Sequence, residues 1–135
     1  MVRNRMSTQS RPFDLIVFGA TAFTGRIAAE YLSKTPKDSL RWAIAGRNAT
    51  VLQALSQSLN AHSNPPSLTQ VLDHSDTHAV QALVAQTRVA LTFAGPFARY
   101  GEPIIAACAA AGTHYLDITG ETLWVAKMIE KYEAT

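Results

Sequence analysis

The loop from Gly19 to Gly25 carries the residue types that suit binding of a pyrophosphate group. Gly19 allows a tight turn, and Gly25 lets the following helix pack close to its strand. Thr21 and Thr24 add hydroxyl groups, while the methyl group of Ala22 narrows the approach where the G-x-x-G-x-x-G pattern has its middle glycine. The alternative is a glycine turn without a ligand, but we favour nucleotide binding because the loop joins a strand to a helix. The residues assigned to this site are Gly19, Ala20, Thr21, Ala22, Phe23, Thr24 and Gly25.

The loop after the second predicted strand distinguishes between two dinucleotides. A site for NAD places Asp or Glu there to accept a hydrogen bond from the ribose 2′-hydroxyl, but Gly46, Arg47 and Asn48 include no acid. The planar guanidinium of Arg47 suits a 2′-phosphate instead, with a surface arginine before a helix as the alternative. We therefore assign Arg47 and Asn48 to the adenosine end of the ligand, and we expect NADP rather than NAD as the cofactor.

Two later loops carry candidates for the remainder of the cofactor. The carboxylate of Asp73 could meet the adenine amino group, or Asp73 could simply form a turn. Gly95 allows close backbone approach and Pro96 stiffens its loop. The ring of Phe97 or Tyr100 could flank the nicotinamide, the alternative being aromatic side chains that only pack. We assign Asp73, Gly95, Pro96 and Phe97 to cofactor binding.

The sequence assigns no catalytic group. Asp117 and Glu121 follow the last predicted strand and suit either acid–base chemistry or helix capping. His74 and His78 lie four residues apart, but no further ligand is spaced to join them, and solvated histidines are ordinary. We therefore predict no metal site.

Short β-like runs alternate with helical patterns from residue 13 onward, and this order would position the loops. Strands are predicted at 13–18, 41–45, 68–72, 89–93 and 114–118. Helices are predicted at 23–34, around 52–59, after a cap at Asp76, at 103–112, and from 122 to the chain end. In the first helix, Ile27, Tyr31 and Leu32 form the apolar side. The alternation predicts an α/β fold with a doubly wound, Rossmann-like parallel sheet of order 3-2-1-4-5.

Composition and charge narrow the class of protein further. Of the 135 residues, 47% are hydrophobic and only 16% are charged, against about 25% in typical domains. The low charge suggests apolar surface that a second copy could cover in a homo-oligomer. No apolar run approaches the roughly 18 residues of a membrane-spanning helix, and the single cysteine, Cys108, excludes an internal disulfide. Three arginines among the first eleven residues contribute +3 to the net charge of +2, so the rest of the chain sums to −1. The body of the protein is therefore not a basic nucleic-acid binder. Residues 1–12 are expected to be a disordered leader, with a mitochondrial presequence as the alternative, and 13–135 the domain.

Four motifs in order give the chain a family resemblance. They are Phe18 to Gly25, Ala45 to Asn48, Ala94 to Phe97 with Tyr100 to Pro103, and Ala111 to Asp117 with Gly120-Glu121. Together they resemble the saccharopine dehydrogenase-like oxidoreductases, and the trans-acting enoyl reductases of bacterial lipid synthesis look like relatives of the same group. The resemblance covers residues 13 to about 133 and implies an N-terminal NAD(P)-binding Rossmann domain.

The resemblance also implies a function and a location. Hydride would pass between the nicotinamide and a carbonyl, imine or enoyl group, in lipid metabolism, with the small-molecule or lipid substrate bound through a second domain. Family members carry that domain beyond the point where this chain stops, so the chain is expected to be a truncated cofactor domain. A non-catalytic NADP-binding sensor or interaction module and an inactive product are the alternatives. We expect the cytoplasmic side of the cell, with lipid droplet, membrane and mitochondrion left open.

Overall fold

The computed structural model describes residues 10–134, and its framework is a five-stranded sheet flanked by helices. No helix among the described residues is both long and apolar enough to cross a membrane. The strands are β1 (Phe13–Phe18), β2 (Trp42–Gly46), β3 (Leu68–Val71), β4 (Thr87–Thr92) and β5 (His114–Asp117). The helices are α1 (Phe23–Ser33), α2 (Ala49–Leu59), α3 (Thr77–Val84), α4 (Phe97–Tyr100), α5 (Glu102–Ala111) and α6 (Thr122–Tyr132).

Neighbouring strands of the sheet are parallel and follow the order β3-β2-β1-β4-β5. The doubly wound fold and the strand order predicted from the sequence are therefore confirmed. Phe18 pairs with Ala45 on one side and with Thr92 on the other, and Thr92 pairs with Asp117. The carboxyl ends of the strands consequently reach the same edge of the sheet, and the winding direction switches between β1 and β4.

Helices cover both faces of the sheet, which explains why its central strands are almost wholly apolar. Successive side chains of a strand point to opposite faces. Ile16 and Phe18 join the core beneath α3 and α5, whereas Val17 joins the core beneath α1 and α2. Ile104 of α5 and Leu52 of α2 are fully buried in these two cores. The packed strands therefore give the loops at their ends a rigid base.

Helix α1 packs on the sheet through small residues. Gly25, Ala29 and Ser33 follow one another at intervals of four and are buried, whereas Ile27 and Tyr31 are 54% and 74% exposed. Small side chains let the helix backbone approach the strands closely, and this leaves the larger side chains on the outer face. Ile27 and Tyr31, which were predicted to form the apolar side of this helix with Leu32, therefore lie on its outer face.

Several predicted helix ends are confirmed, and others shift. Asp76 caps α3 by accepting a hydrogen bond from the N–H of Ala79 at 3.0 Å, and Gly112 ends α5 in the left-handed conformation. Strand β4 already begins at Thr87, two residues before the predicted start. Helix α6 ends at Tyr132 instead of continuing to the chain end. The four-residue helix α4 was not predicted, because so short a segment has no periodic pattern.

Most of the expected leader, residues 1–9, lies outside the described residues, as does residue 135. Arg11 is held by the domain, since its guanidinium donates hydrogen bonds to the carbonyl oxygens of Thr87 and Ala111 and to the hydroxyl of Thr113. A cation at the C-terminal end of α5 also interacts favourably with the helix dipole. Residue 11 therefore belongs to the folded domain, two residues before its expected start.

Candidate functional site

A cleft of about 200 Å³, here called the phosphate cleft, lies where the loops after β1, β2, β3 and β4 meet. This is the switch point of the sheet, where doubly wound folds bind their ligands. It brings together residues from four predicted loops that are up to 81 positions apart in the chain. Its lining consists of Gly19, Thr21, Ala22, Arg47, His74, Phe93, Ala94, Gly95 and Tyr100.

Two glycines shape the turn that leads from β1 into α1 beside the phosphate cleft. Gly19 has a φ of +67°, and a Cβ there would lie 2.6 Å from the backbone nitrogen of Ala94. A Cβ on Gly25 would lie 2.2 Å from the carbonyl oxygen of Gly19. Neither position has room for any side chain, so the turn and the close packing of α1 both require glycine. This backbone geometry fits the approach of a pyrophosphate.

The N-terminus of α1 faces the same loop without a capping side chain. Ala22 is the N-cap, its side chain makes no hydrogen bond, and the first turn contains no acid. The first N–H groups of a helix lack partners within it and carry partial positive charge. Arg26 adds a full positive charge in this turn. The start of α1 is thus suited to an anion, and the methyl group of Ala22 lines the cleft beside it.

The remaining predicted residues of this loop differ in what they can offer. Thr21 lines the phosphate cleft. Ala20 is fully buried and its N–H donates to the carbonyl oxygen of Ala45, so it supports the loop. Phe23 is 84% exposed and Thr24 is exposed, which leaves their backbone N–H groups as their evident contribution. Their assignment to the phosphate site stays a prediction.

A second cleft of about 210 Å³, here called the arginine cleft, adjoins the phosphate cleft and shares three of its residues. The shared residues are Arg47, His74 and Tyr100. The guanidinium carbon of Arg47 lies 5.6 Å from the centroid of the Tyr100 ring. The full lining of the arginine cleft is Arg47, Asp73, His74, Ser75, Arg99, Tyr100 and Pro103. An adenosine that extends from the phosphate loop past the end of β2 would enter this cleft.

Asn48, assigned to the adenosine end, has a structural task in the fold. Its side-chain oxygen accepts a hydrogen bond from the N–H of Val51 at 3.0 Å and so caps α2. The cap holds the loop that carries Arg47 against the start of the helix. Asn48 lines neither cleft, and its assignment to the adenosine end stays a prediction.

Asp73 lines the arginine cleft, but its carboxylate is engaged within its own loop. One carboxylate oxygen accepts hydrogen bonds from the N–H and the hydroxyl of Ser75, both at 2.8 Å. These bonds lower the pKa of Asp73, and the positive charge of Arg47 lowers it further. Asp73 is therefore ionised at neutral pH. Its observed hydrogen bonds are those of a turn-forming residue, which was the alternative to contact with the adenine.

His74 is a part of the site that the sequence did not identify. It was expected to be solvated, but it is only 8% exposed, and among the described residues its Nδ1 has no hydrogen-bond partner. Burial and the nearby charge of Arg47 lower the pKa of His74, so the ring is neutral at neutral pH. His78 is exposed, and within residues 10–134 no group of three or more His, Cys, Asp and Glu side chains could hold a metal ion. A lone histidine in a loop gives no sequence signal of burial.

The two aromatic residues after β4 have different surroundings. Phe97 is only 7% exposed, its ring centroid lies 6.2 Å from that of Trp124, and it does not line the phosphate cleft. The Phe97 side chain therefore packs within the fold, which was the alternative to flanking the nicotinamide. Tyr100, in contrast, lines both clefts. Gly95 lines the phosphate cleft, and the peptide bond between Gly95 and Pro96 is cis.

The carboxylates after β5 are committed to hydrogen bonds within the fold. Glu121 accepts from the N–H groups of Phe97 and Ala98, and Asp117 accepts from the N–H of Thr119. The sequence left acid–base chemistry and helix capping open for these carboxylates. Glu121 is a capping residue, because it accepts hydrogen bonds from the first N–H groups of α4. Neither carboxylate is shown to be free for acid–base chemistry.

A doubly wound parallel sheet with a tight glycine turn and a helix N-terminus at its switch point defines a dinucleotide-binding Rossmann domain. Over residues 15–135 the chain matches the family described as the saccharopine dehydrogenase NADP binding domain. The chain belongs to this family. The resemblance seen in its motifs and the prediction of an NADP-binding domain are thereby confirmed.

Several similar proteins of known sequence are mycobacterial. The chain is 41% identical over 128 residues to a Mycobacterium tuberculosis protein provisionally named a trans-acting enoyl reductase. It is 38% identical over 127 residues to a trans-acting enoyl reductase of Mycobacterium bovis. Each alignment covers 94% of this chain, which spans only 30% of the length of either relative.

Solved structures with the same fold are more distant in sequence. Saccharopine dehydrogenase (L-Glu forming) of Saccharomyces cerevisiae superposes with a TM-score of 0.67 at 14% identity, covering 86% of this chain and 24% of that one. An NADPH-dependent quinone oxidoreductase of Escherichia coli, in complex with NADPH, gives a TM-score of 0.64 at 23% identity, covering 87% and 45%. These similarities establish the fold.

Proposed function

We propose that the chain is the cofactor-binding part of an NADP-dependent oxidoreductase that reduces an enoyl group of a lipid-type substrate. Membership of an NADP-binding domain family and two relatives named for enoyl reduction support this proposal. Because the chain spans 30% of those relatives, the activity of the whole protein is part of the proposal. The observation that carries it is the turn at Gly19, which has no room for a side chain and lines the same cleft as Arg47.

Each part of the site has a role in binding such a cofactor. The N–H groups at the start of α1 would bind the pyrophosphate, with Gly19 leaving room for it. Arg47 would bind the 2′-phosphate with its planar guanidinium, and the packed strands would fix the distance between the two positions. The cofactor itself supplies the hydride, so the chain's task is to bind and orient it.

Calorimetric titration of the purified chain with NADPH and with NADH tests the proposal. A charged hydrogen bond is worth about 1.5–3 kcal/mol, so Arg47 should favour NADPH roughly 10- to 150-fold. Arg47→Ala should remove this preference, while Arg88→Ala, at an exposed arginine of β4, should keep it. Binding of neither dinucleotide by the folded chain would contradict the proposal, and equal affinity for both would contradict only the role of Arg47.

A non-catalytic NADP-binding module is the second candidate. Asp117 and Glu121, the carboxylates that follow β5, both form hydrogen bonds within the fold, which leaves no evident acid or base among them. Incubation of the chain with NADPH and an α,β-unsaturated acyl thioester distinguishes the candidates. Loss of NADPH absorbance favours the oxidoreductase, whereas tight NADPH binding without turnover, both in this chain and in a protein of the relatives' full length that contains it, favours the module.

A further inference from the structure

Arg99 and Arg47 reach the arginine cleft from opposite sides of the switch point. Arg47 follows β2, whereas Arg99 lies in α4, which follows β4. Both line the cleft, together with the ring of Tyr100. The fold therefore brings two guanidinium groups, 52 positions apart in the sequence, into a cavity of about 210 Å³.

Tyr100 is in contact with both arginines. The guanidinium carbon of Arg99 lies 5.2 Å from the centroid of the Tyr100 ring, and that of Arg47 lies 5.6 Å from it. At these distances the ring attracts each cation, with an energy of about 0.5–1 kcal/mol at exposed sites. The ring thus restrains two long side chains that would otherwise be free to move.

The charges of the arginine cleft are unbalanced. The salt bridges within residues 10–134 involve other side chains, so neither Arg47 nor Arg99 has a carboxylate partner there. Asp73 is the cleft's one carboxylate, and its oxygen is held by Ser75. Two cations that share one ring repel each other, and an anion placed between them would remove that repulsion.

A further polar group in the same cleft lacks a partner. His74 lines the arginine cleft, is 8% exposed, and has no hydrogen bond to its Nδ1 among the described residues. Buried polar atoms normally have partners, and an exception calls for an explanation such as a ligand. Because this nitrogen is buried and does not open to the cleft, the case for an anion there rests on the two arginines.

We propose that Arg99 is a second ligand of the cofactor's 2′-phosphate and contributes with Arg47 to the preference for NADP. The proposal rests on the proposed NADP-binding function and adds a residue that lies outside the loop after β2. A phosphate dianion between two guanidinium groups receives charge-assisted hydrogen bonds from both, and planar guanidiniums suit it better than ammonium groups do. Tyr100 acts as a positioning residue for the pair.

Calorimetry with two small probes tests the role of Arg99. The probes are adenosine 2′,5′-bisphosphate, which carries the 2′-phosphate, and adenosine 5′-monophosphate, which lacks it. Arg99→Ala should weaken binding of the bisphosphate roughly 10-fold or more and leave binding of the monophosphate within about twofold. Arg99→Lys should fall between, because it keeps the charge but loses the planar fork. Arg99 is exposed, so the variants should fold, and Arg88→Ala is the matched control.

The two roles fail separately in this experiment. If the bisphosphate binds more tightly than the monophosphate and Arg47→Ala removes the difference while Arg99→Ala does not, the proposal for Arg99 is wrong and NADP binding stands. If the folded wild-type chain binds neither probe and neither dinucleotide, the proposed function itself fails. A double variant that loses no more than either single variant would show that the two arginines act on the same phosphate.

Discussion

The carboxylate of Glu121 accepts a hydrogen bond from the backbone N–H of Phe97 at 2.7 Å, across 24 positions of sequence. Its second oxygen accepts from the N–H of Ala98 at 3.2 Å. Glu121 thereby caps α4 from the loop after β5, and it ties two loops of the switch point together. Gly95 and Tyr100 lie on either side of this cap and line the phosphate cleft. Glu121 therefore helps to fix the position of the segment that forms this part of the cleft.

Removal of this cap should cost stability and cofactor affinity together. Loss of a helix cap typically lowers the free energy of unfolding by about 0.5–2 kcal/mol. We expect Glu121→Ala to fall in this range in urea denaturation and to weaken NADPH binding, because the loop with Gly95 and Tyr100 would lose its anchor. Glu121→Gln retains one acceptor oxygen and should lose less.

The exposed carboxylate of Glu130 in α6 provides the control for Glu121. Glu130→Ala removes the same charge from the protein without touching a cap. Equal stability of Glu121→Ala and Glu130→Ala would show that the cap contributes nothing.

The turn at Gly19 should tolerate no side chain. Gly19→Ala combines a left-handed backbone, which costs about 1–3 kcal/mol for other residues, with a Cβ 2.6 Å from the nitrogen of Ala94. We expect a lower melting temperature and loss of NADPH binding. Gly120→Ala is the matched control, because a Cβ there has no neighbour within 4 Å. A Gly19→Ala protein that melts and binds like Gly120→Ala would contradict the steric argument.

The sequence predicted the parts of the site that depend on local pattern. The run before Gly19 and the glycine spacing are local, and they correctly indicated a strand, a turn and a helix. Which side of α1 packs against the sheet could not be inferred from the positions of its apolar residues. Gly25 faces the sheet and Ile27 faces outward because close approach of the backbone outweighed burial of a large side chain.

The arginine cleft could not be predicted from the sequence for a different reason. Arg47 was identified because it directly follows a strand, a position with a known chemical role. Arg99 and His74 reach the cleft only through the relative placement of three loops, which no spacing in the chain encodes. The side chain of Phe97 was expected near a ligand, but Trp124, 27 positions later, provides its packing partner.

The contacts of Arg11 should make it important for stability. Its guanidinium bonds to the start of β4 and to the end of α5, through the carbonyl oxygens of Thr87 and Ala111. Hydrogen bonds from a charged donor contribute about 1.5–3 kcal/mol, so Arg11→Ala should lower the free energy of unfolding by about that amount. Arg11→Lys should recover only part of it, because an ammonium group cannot span both carbonyls.

Urea denaturation of Arg11→Ala and Arg88→Ala checks this expectation. Arg88 is exposed on the same strand, so its removal should change stability by no more than about 0.5 kcal/mol. If the two variants unfold at the same urea concentration, the contacts of Arg11 do not stabilise the domain.

His74 should make the stability of the domain depend on pH below neutrality. Burial and the charge of Arg47 hold the pKa of His74 below its ordinary value of 6.5, against a smaller opposing effect of Asp73. Between the two pKa values the unfolded chain binds more protons than the folded one, so stability rises with pH in this window. The contribution is complete above pH 6.5 and is lost as the pH falls from 6.5 through the lowered pKa of the folded state.

Urea denaturation between about pH 5 and pH 8 measures this contribution. His74→Gln removes the titrating group and should flatten the dependence below pH 6.5, whatever its effect on stability at pH 8. His78→Gln, four positions away and exposed, is the matched control and should leave the wild-type slope unchanged. A slope that His74→Gln leaves unaltered would place the acid-sensitive group elsewhere and would mean that His74 can be protonated in the folded protein without cost.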